Sequence, residues 1–373
     1  MPIRLALDAR KLTDYGIGTY LTHLVEGLGA RQDVDLVLLV RVGHAERARG
    51  LAPSARIVEV AAGGYSVAEH VQVPAALLRE RADLVHIPHY VVPVLLHRPV
   101  VVTIHDVIQL FYPPRRRFQM GIWYLRTMMR LALGRARRVI TVSRASRGDL
   151  IQLFGADPER VHVVPNGVDP RLGERPPREE LDALRERYDI RPPVFLAVSN
   201  DKPHKNLDVL LRAFHLAVTR HRVPGQLVVV GGRGPDSPLA RRAERLGLAH
   251  RTRFVGRIPR RDLVGLYHLA SVLVHVALYE GFGLPVLEAM CAGLPVITSN
   301  VGALRELGEG VARLVDPLSA EEVAEAMQRV LVDDPLRRLM VEAGRRRAES
   351  MTWGATVEAT MNVYRQALGE GVS

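Results

Sequence analysis

Two carboxylates, Glu280 and Glu288, stand with seven residues between them in the run HVALYEGFGLPVLEAMCAGLPVITS (residues 275–299) and straddle the turn Gly281-Phe282-Gly283-Leu284-Pro285. Good helix formers follow that turn, so a helix starting at Leu284 would aim its first unpaired N–H groups at whatever lies before it. Such an end favours an anion, and phosphate is the obvious candidate. Gly281 and Gly283 allow unusual dihedrals and a close backbone approach. Glu280 would then lie just ahead of the helix mouth, with Glu288 about one turn inside and projecting to the same side. Because a carboxylate accepts several hydrogen bonds, one could hold a sugar and the other a second polyol, at opposite ends of a bound diphosphate. Taken singly, each glutamate reads more simply as a surface charge or a complement to the helix dipole.

These residues need a scaffold, and the rest of the chain supplies one. Short apolar, β-branched runs recur at 3–7, 36–40, 84–87, 100–104, 139–142, 194–198, 227–230, 272–276, 295–298 and 311–315. Stretches of helical periodicity alternate with them, among them 18–28, 143–154, 207–218, 239–246, 320–332 and 353–368. This alternation predicts βαβ units around parallel sheets buried on both faces. At 373 residues the chain is too long for one core, and residues 169–193, rich in proline, glycine and charge, read as a linker. The expected organisation is a domain over 1–168, a linker over 169–193, a second domain over 194–352, and a helix over 353–373 that packs back on the first domain.

Composition narrows the function classes. A hydrophobic content of 47% and a charged content of 24% are ordinary for a globular protein, and no apolar run spans a bilayer. The first residues enter a strand without a basic region and an apolar segment, so a cytoplasmic location is expected. The single cysteine, Cys291, excludes an internal disulfide framework and reads as a small core residue. The formal charge of +11 favours phosphate-bearing partners without choosing among them. Only three of the 51 basic residues are lysines, Lys11, Lys202 and Lys205, and two of these sit close together. A lysine in an arginine-rich chain can mark a place that needs a compact charge.

The stretch from Glu280 to Val296 matches, residue for residue, the pattern E-G-F-G-L-P-x-L-E-A-M-x-x-G-x-P-V, and so resembles the retaining glycosyltransferases of family 4, with the GT-B fold. The resemblance covers nearly the whole chain. DYGIGTY (14–20) is similar to the family's glycine-rich loop, where Gly16 and Gly18 would let backbone approach the donor diphosphate or the acceptor. TIHD (103–106) ends a buried strand and places His105 where the family's histidine lines the site beside the transferred sugar; in isolation a structural histidine explains it equally well. RRVITVSRAS (137–146) and VVPNGVD (163–169) resemble the segments that close the first domain and form the hinge. SNDKPHKNL (199–207) places Lys205 as the donor phosphate cation; many members carry an arginine where this chain has Ser199, which leaves a second cation to Lys202 or elsewhere. VVVGGRG (228–234), with Gly232, is another glycine-rich strand end, and FVGRIP (254–259), with Arg257 and Ile258, resembles the segment that contacts the nucleobase.

The resemblance implies two Rossmann-like domains facing a central cleft, with the second gripping a nucleotide sugar and the first the acceptor. It implies transfer of a hexose with retention, by front-face displacement and without a metal. Glu280 would hold the sugar hydroxyls, Glu288 the ribose, His105 the sugar from the other side, and Lys205 with the amides around Gly281–Leu284 the diphosphate. The PHKN motif (203–206) resembles mannosyltransferases that use GDP-mannose, with UDP-glucose and UDP-N-acetylglucosamine as alternatives, and the acceptor would be a glycan or lipid-linked. A sugar phosphorylase or a non-catalytic nucleotide-sugar binder shares the fold. A nicotinamide dehydrogenase lacks its G-x-G-x-x-G here, and a nucleic-acid binder lacks a helix-turn-helix or zinc pattern. Asp33-Val-Asp35 spells a metal-type D-x-D, but precedes a strand of the first domain and reads as solvent-exposed. The segment 111–138 mixes arginines and aromatics at helical spacing; it reads as a core-packed helix with a basic face, or as a contact for anionic lipid.

Overall fold

The computed structural model describes residues 2–14, 16–63, 66, 68–93, 95–113 and 118–370. The chain folds into two units, Met1–Gly167 with Trp353–Ser373, and Val168–Thr352. The first carries strands β1 (Ile3–Asp8), β2 (Val34–Arg41), β3 (Arg56–Val60), β4 (Leu84–Ile87), β5 (Val100–Thr103), β6 (Arg138–Thr141) and β7 (Val161–Val163). They form one parallel sheet in the order β3-β2-β1-β4-β5-β6-β7. The second carries β8 (Val194–Val198), β9 (Gln226–Val230), β10 (Thr252–Gly256), β11 (Val272–His275), β12 (Val296–Ser299) and β13 (Arg313–Val315), also parallel, in the order β10-β9-β8-β11-β12-β13. Each order reverses once, between β1 and β4 and between β8 and β11. In open α/β sheets the loops at the carboxyl ends of the strands flanking such a reversal form the ligand crevice.

Helices cover both faces, which is why β2, β4, β5, β9 and β11 are near-continuous apolar runs. The strands that periodicity did not single out are edges or short: β3 and β10 sit at sheet edges and carry Arg56, Glu59 and Arg253. β13 begins two residues later than expected, because the amides of Val311 and Ala312 turn back to the Gly308 carbonyl. Residues 169–193, expected to be a linker, belong instead to the second unit. Within them the helix Arg178–Tyr188 buries Leu181 and Leu184, and Leu184 packs where Gly265 has no side chain.

The helix Trp353–Leu368 lies in the first unit, with Val357, Met361, Val363 and Tyr364 in its core. Gly27 makes this possible, since a Cβ there would lie 2.5 Å from a Val357 methyl. Asp33 and Asp35 flank the start of β2, where Asp33 pairs with Arg31 and Arg365, and Asp35 with Arg4. In the 111–138 segment Pro114–Arg117 lie outside the described residues; the helix Phe118–Arg135 buries Leu125, Met129 and Ala132 and exposes Trp123. No helix among the described residues is long and apolar enough to cross a membrane.

At the β1–β4 reversal a buried polar cluster closes the sheet. The Arg10 guanidinium donates to both Asp8 carboxylate oxygens at 2.9 and 2.7 Å, to Glu69 at 3.1 Å and to the Ala62 carbonyl at 3.3 Å. His89 Nδ1 accepts the Val91 amide at 3.1 Å, so its Nε2 carries the proton and donates to Asp8 at 3.3 Å. Burial alone would raise the Asp8 pKa, but His89 and Arg10 outweigh it and hold the carboxyl well below its usual range. Because one cation serves two buried carboxylates, Arg10→Met is expected to cost ~3–5 kcal/mol of stability at pH 7. Urea denaturation checks this; a loss under ~1 kcal/mol would mean that the cluster does not depend on Arg10.

Candidate active site

β8 is an apolar strand that ends at the reversal of the second sheet, and the loop after it carries Ser199, Lys202 and Lys205. One 3-10 turn, Pro203–Lys205, stops at Asn206, whose φ of 57° breaks the turn before the helix Leu207–Thr219. The Asn206 side chain donates to the carbonyls of Val276 at 3.0 Å and Pro317 at 2.6 Å. The Leu278 amide returns a bond to the His204 carbonyl at 2.7 Å. From β12, Thr298 Oγ1 donates to the His275 carbonyl at 3.0 Å and Ser299 Oγ to that of Ala277 at 2.7 Å. The loops after β8 and β11 are thereby bolted together.

That bolting brings Lys205 to Glu280. Lys205 Nζ pairs with Glu280 Oε1, and His275 Nε2 donates to the same oxygen at 2.9 Å. Both members of the ion pair are only 14% exposed. Burial pushes the Glu280 carboxyl upward, but the Lys205 charge and the His275 bond outweigh it and bring the pKa down to about 2. Beyond Glu280, Gly281 and Phe282 are buried, and Gly283, at φ 105°, caps the helix Leu284–Cys291. A Cβ on Gly283 would come within 2.7 Å of Leu304. The helix mouth is narrower than the sequence implied: Val286 and Leu287 already donate to the Gly283 carbonyl, and Pro285 has no N–H. An anion is therefore met by amides at or ahead of Leu284.

Glu288 lies on the buried side of this helix and forms a second cluster. Oε1 accepts Arg260 Nη1 at 2.6 Å and Oε2 accepts Tyr267 Oη at 2.7 Å, both donors coming from the helix Arg260–Leu269. Burial and the neighbouring Glu288 carboxylate push the Tyr267 phenol well above its ordinary value, so it remains a donor. Glu288, expected to project to the same side as Glu280, is buried and already oriented by two donors. Each oxygen keeps a further lone pair.

The remaining expectations divide. The Ser199 hydroxyl donates to the Asn200 carbonyl at 3.1 Å, and Lys202 is exposed on the same loop. The Gly232 side-chain space is filled by the protein itself, since a Cβ there would sit 2.1 Å from the Asp201 carboxylate, which accepts the Arg233 amide at 2.9 Å. Arg257, exposed, and Ile258, partly buried, follow the end of β10. Cys291 is partly buried, with its thiol 3.6 Å from the Asp169 carbonyl. In the first unit, Gly16 caps the helix Ile17–Gly29 and leaves open space where a side chain would be, whereas Gly18 is used for packing, 2.8 Å from the Leu12 carbonyl. His105, two residues past β5, hydrogen-bonds the Pro88 carbonyl, and its Nε2 is sealed from solvent without a partner. Nδ1 therefore carries the proton. Burial, then the charges of His89 and Lys11, push this imidazole down to about 4.

Asn206, His275, Arg260 and Tyr267 were not singled out by sequence reasoning. His275 opens the stretch that carries Glu280, Asn206 closes the PHKN motif, and Tyr267 stands at an apolar helix position that reads as core. Among the described residues no group of three or more His, Cys, Asp or Glu side chains is placed to hold a metal ion.

The family model described as Glycosyltransferase Family 4 matches residues 15–172, and that described as Glycosyl transferases group 1 matches residues 182–347. The O-antigen chain mannosyltransferase B of Escherichia coli is 30% identical over 298 residues, covering 79% of this chain and 78% of that protein. The MMP alpha-(1->4)-mannosyltransferase of Mycolicibacterium hassiacum is 35% identical over 238 residues, 62% of this chain and 54% of its own, so the match spans about half its length. Among solved structures, a sucrose-phosphate synthase from Thermosynechococcus elongatus superposes with a TM-score of 0.80 at 22% identity, over 99% of this chain and 100% of that one. Anabaena HepE, in complex with UDP and glucose, gives 0.78 at 19% identity, over 98% and 100%. With both halves matched by the family's models and both sheets folded as described, the chain belongs to the family 4 glycosyltransferases of the GT-B fold.

Proposed function

We propose that this glycosyltransferase moves a hexose, with mannose from GDP-mannose as the favoured donor, to a glycan or lipid-linked acceptor, with retention of anomeric configuration. The observation that carries this reading is the Lys205–Glu280–His275 cluster at the β8–β11 reversal, next to amides that precede Pro285. A fixed ammonium and fixed N–H dipoles stabilise charge that develops on a departing diphosphate. In this reading the bond from the anomeric carbon to the β-phosphate oxygen breaks, and a bond to the acceptor oxygen forms on the same face. The acceptor proton passes to the departing phosphate.

Glu280, kept ionised by its neighbours, accepts hydroxyls of the transferred sugar through its remaining lone pairs. Glu288, held by Tyr267 and Arg260, accepts the ribose hydroxyls. Arg257 and Ile258 border the base, and Lys202 supplies the second phosphate cation in place of an arginine at Ser199. His105 Nε2, an acceptor without a partner, takes a sugar hydroxyl. The reading uses no divalent metal. Mannose is favoured by the PHKN motif and by the mannosyltransferase names of two relatives. HepE, solved with UDP and glucose, supports a UDP-sugar as the second reading. The helix Phe118–Arg135, with Trp123, Arg126 and Arg130 exposed, suits a lipid-linked acceptor at an anionic surface.

Four outcomes are expected. In a thermal-shift panel of GDP-, UDP- and ADP-sugars, the true donor at a hundred times its Kd adds ~2.7 kcal/mol of stability, and GDP-mannose gives the largest shift; a larger shift with a UDP-sugar would overturn the mannose assignment. Lys205→Ala lowers transfer at least ~tenfold, or ~1.4 kcal/mol of barrier, and unchanged turnover would remove Lys205 from the mechanism. In the same variant the Glu280 pKa, read by carboxyl-carbon NMR, rises from about 2, since burial is then opposed by His275 alone. The sign follows from linkage: this carboxylate stabilises the fold above its unfolded pKa and loses that contribution as pH falls toward 2. Activity that survives EDTA treatment is the companion expectation for a metal-free reaction.

A further inference from the structure

The first unit contains a buried chain of hydroxyls and one imidazole that the proposed chemistry does not use. Tyr364 Oη lies 2.6 Å from His86 Nδ1, His86 Nε2 lies 2.7 Å from Thr103 Oγ1, and Thr103 Oγ1 lies 3.2 Å from Tyr20 Oη. Tyr364, His86, Thr103 and Tyr20 are all wholly buried. The path leaves the helix Trp353–Leu368 at Tyr364 and crosses β4 and β5 to the helix Ile17–Gly29.

Burial pushes the His86 imidazole down to about 3, so it is neutral and carries one N–H. It therefore donates at one ring nitrogen and accepts at the other, and ties the Tyr364 and Thr103 hydroxyls through a single ring. Tyr20 is in turn clamped at its oxygen by Thr103.

The clamp matters because of what the Tyr20 ring touches. It meets the His105 ring at 4.9 Å between centroids and 82° between planes, an edge-to-face contact. The His105 backbone carbonyl accepts Ser146 Oγ at 3.2 Å, and Nδ1 donates to Pro88, so the Tyr20 ring is the further wall that sets where Nε2 points. We propose that the helix Trp353–Leu368 positions His105 for the transferred sugar, acting through Tyr364, His86, Thr103 and Tyr20. Tyr364 and Thr103 are positioning residues. This inference rests on the reading that His105 accepts a sugar hydroxyl.

The test is Tyr364→Phe, which removes the hydroxyl bound to His86, with Thr103→Val as a second cut nearer Tyr20 and Thr103→Ser as the rescue that keeps the hydroxyl. Nitrogen-15 NMR of labelled histidine reads the His105 ring in the sugar-free protein, and steady-state kinetics with the donor identified by the thermal-shift panel reads the consequence. The expected result is a changed pair of His105 nitrogen shifts in Tyr364→Phe and in Thr103→Val, with kcat down about tenfold and donor KM within about twofold, and wild-type values in Thr103→Ser. Thr103→Val serves alone if Tyr364→Phe does not fold. Unchanged His105 shifts in the folded variant would overturn the proposal, and so would changed shifts with unaltered kcat. Absence of transfer by the wild-type chain would instead defeat the functional reading, while the NMR arm still decides whether the helix orders His105.

Discussion

A negative charge sits below the surface at Glu280, and the second unit is built around keeping it there. An unpaired buried carboxylate would cost several kcal/mol or take up a proton. Lys205 and His275 prevent that from two directions, one at the start of the helix that follows β8 and one at the end of β11. The pairing demands that two loops distant in sequence keep a fixed separation. Asn206 meets the demand by spending its side chain on two carbonyls instead of capping its own helix. Polar groups fixed before a ligand arrives need no reorganisation during reaction, which is the condition for electrostatic catalysis.

The motif glycines differ in what fills their side-chain space. Gly16 leaves its side-chain space open, whereas Gly18, Gly232 and Gly283 face the Leu12 carbonyl, the Asp201 carboxylate and the Leu304 methyl. Three glycines in recognisable motifs are therefore required by close packing of this chain on itself. In the proposed reading, that packing sets the backbone where amides can face an anion. Glu288 shows a comparable economy, since Tyr267 and Arg260 orient it from one helix and leave lone pairs for hydroxyls.

Much of this was legible in the residues. Unbroken apolar runs such as Leu36–Val40 and Val272–Val274 announce parallel strands, because both faces of such a sheet are covered. The spacing of Glu280 and Glu288 around a glycine turn and the rarity of lysine drew attention to Glu280 and Lys205, which the structure pairs at the β8–β11 reversal. Edge strands escaped, because Arg56–Val60 and Thr252–Gly256 face solvent on one side and carry charge there. Residues 169–193 were misread because proline and charge dominate their composition, while two leucines at helical spacing, Leu181 and Leu184, were enough to dock a helix. Partners such as His275 and Tyr267 stayed hidden, since their roles depend on a fold that brings distant segments together and their local sequence resembles ordinary core.

The central claim is that Lys205 and the amides ahead of Pro285 together neutralise a diphosphate. Titration calorimetry of GDP against GMP, with wild type and Lys205→Met, measures that charge recognition without reference to sugar or acceptor. The account predicts that the wild-type protein binds the diphosphate at least ~tenfold tighter, or ~1.4 kcal/mol, and that the gap largely closes in the variant. Equal affinities in the wild type, or a gap that survives loss of the ammonium group, would contradict it.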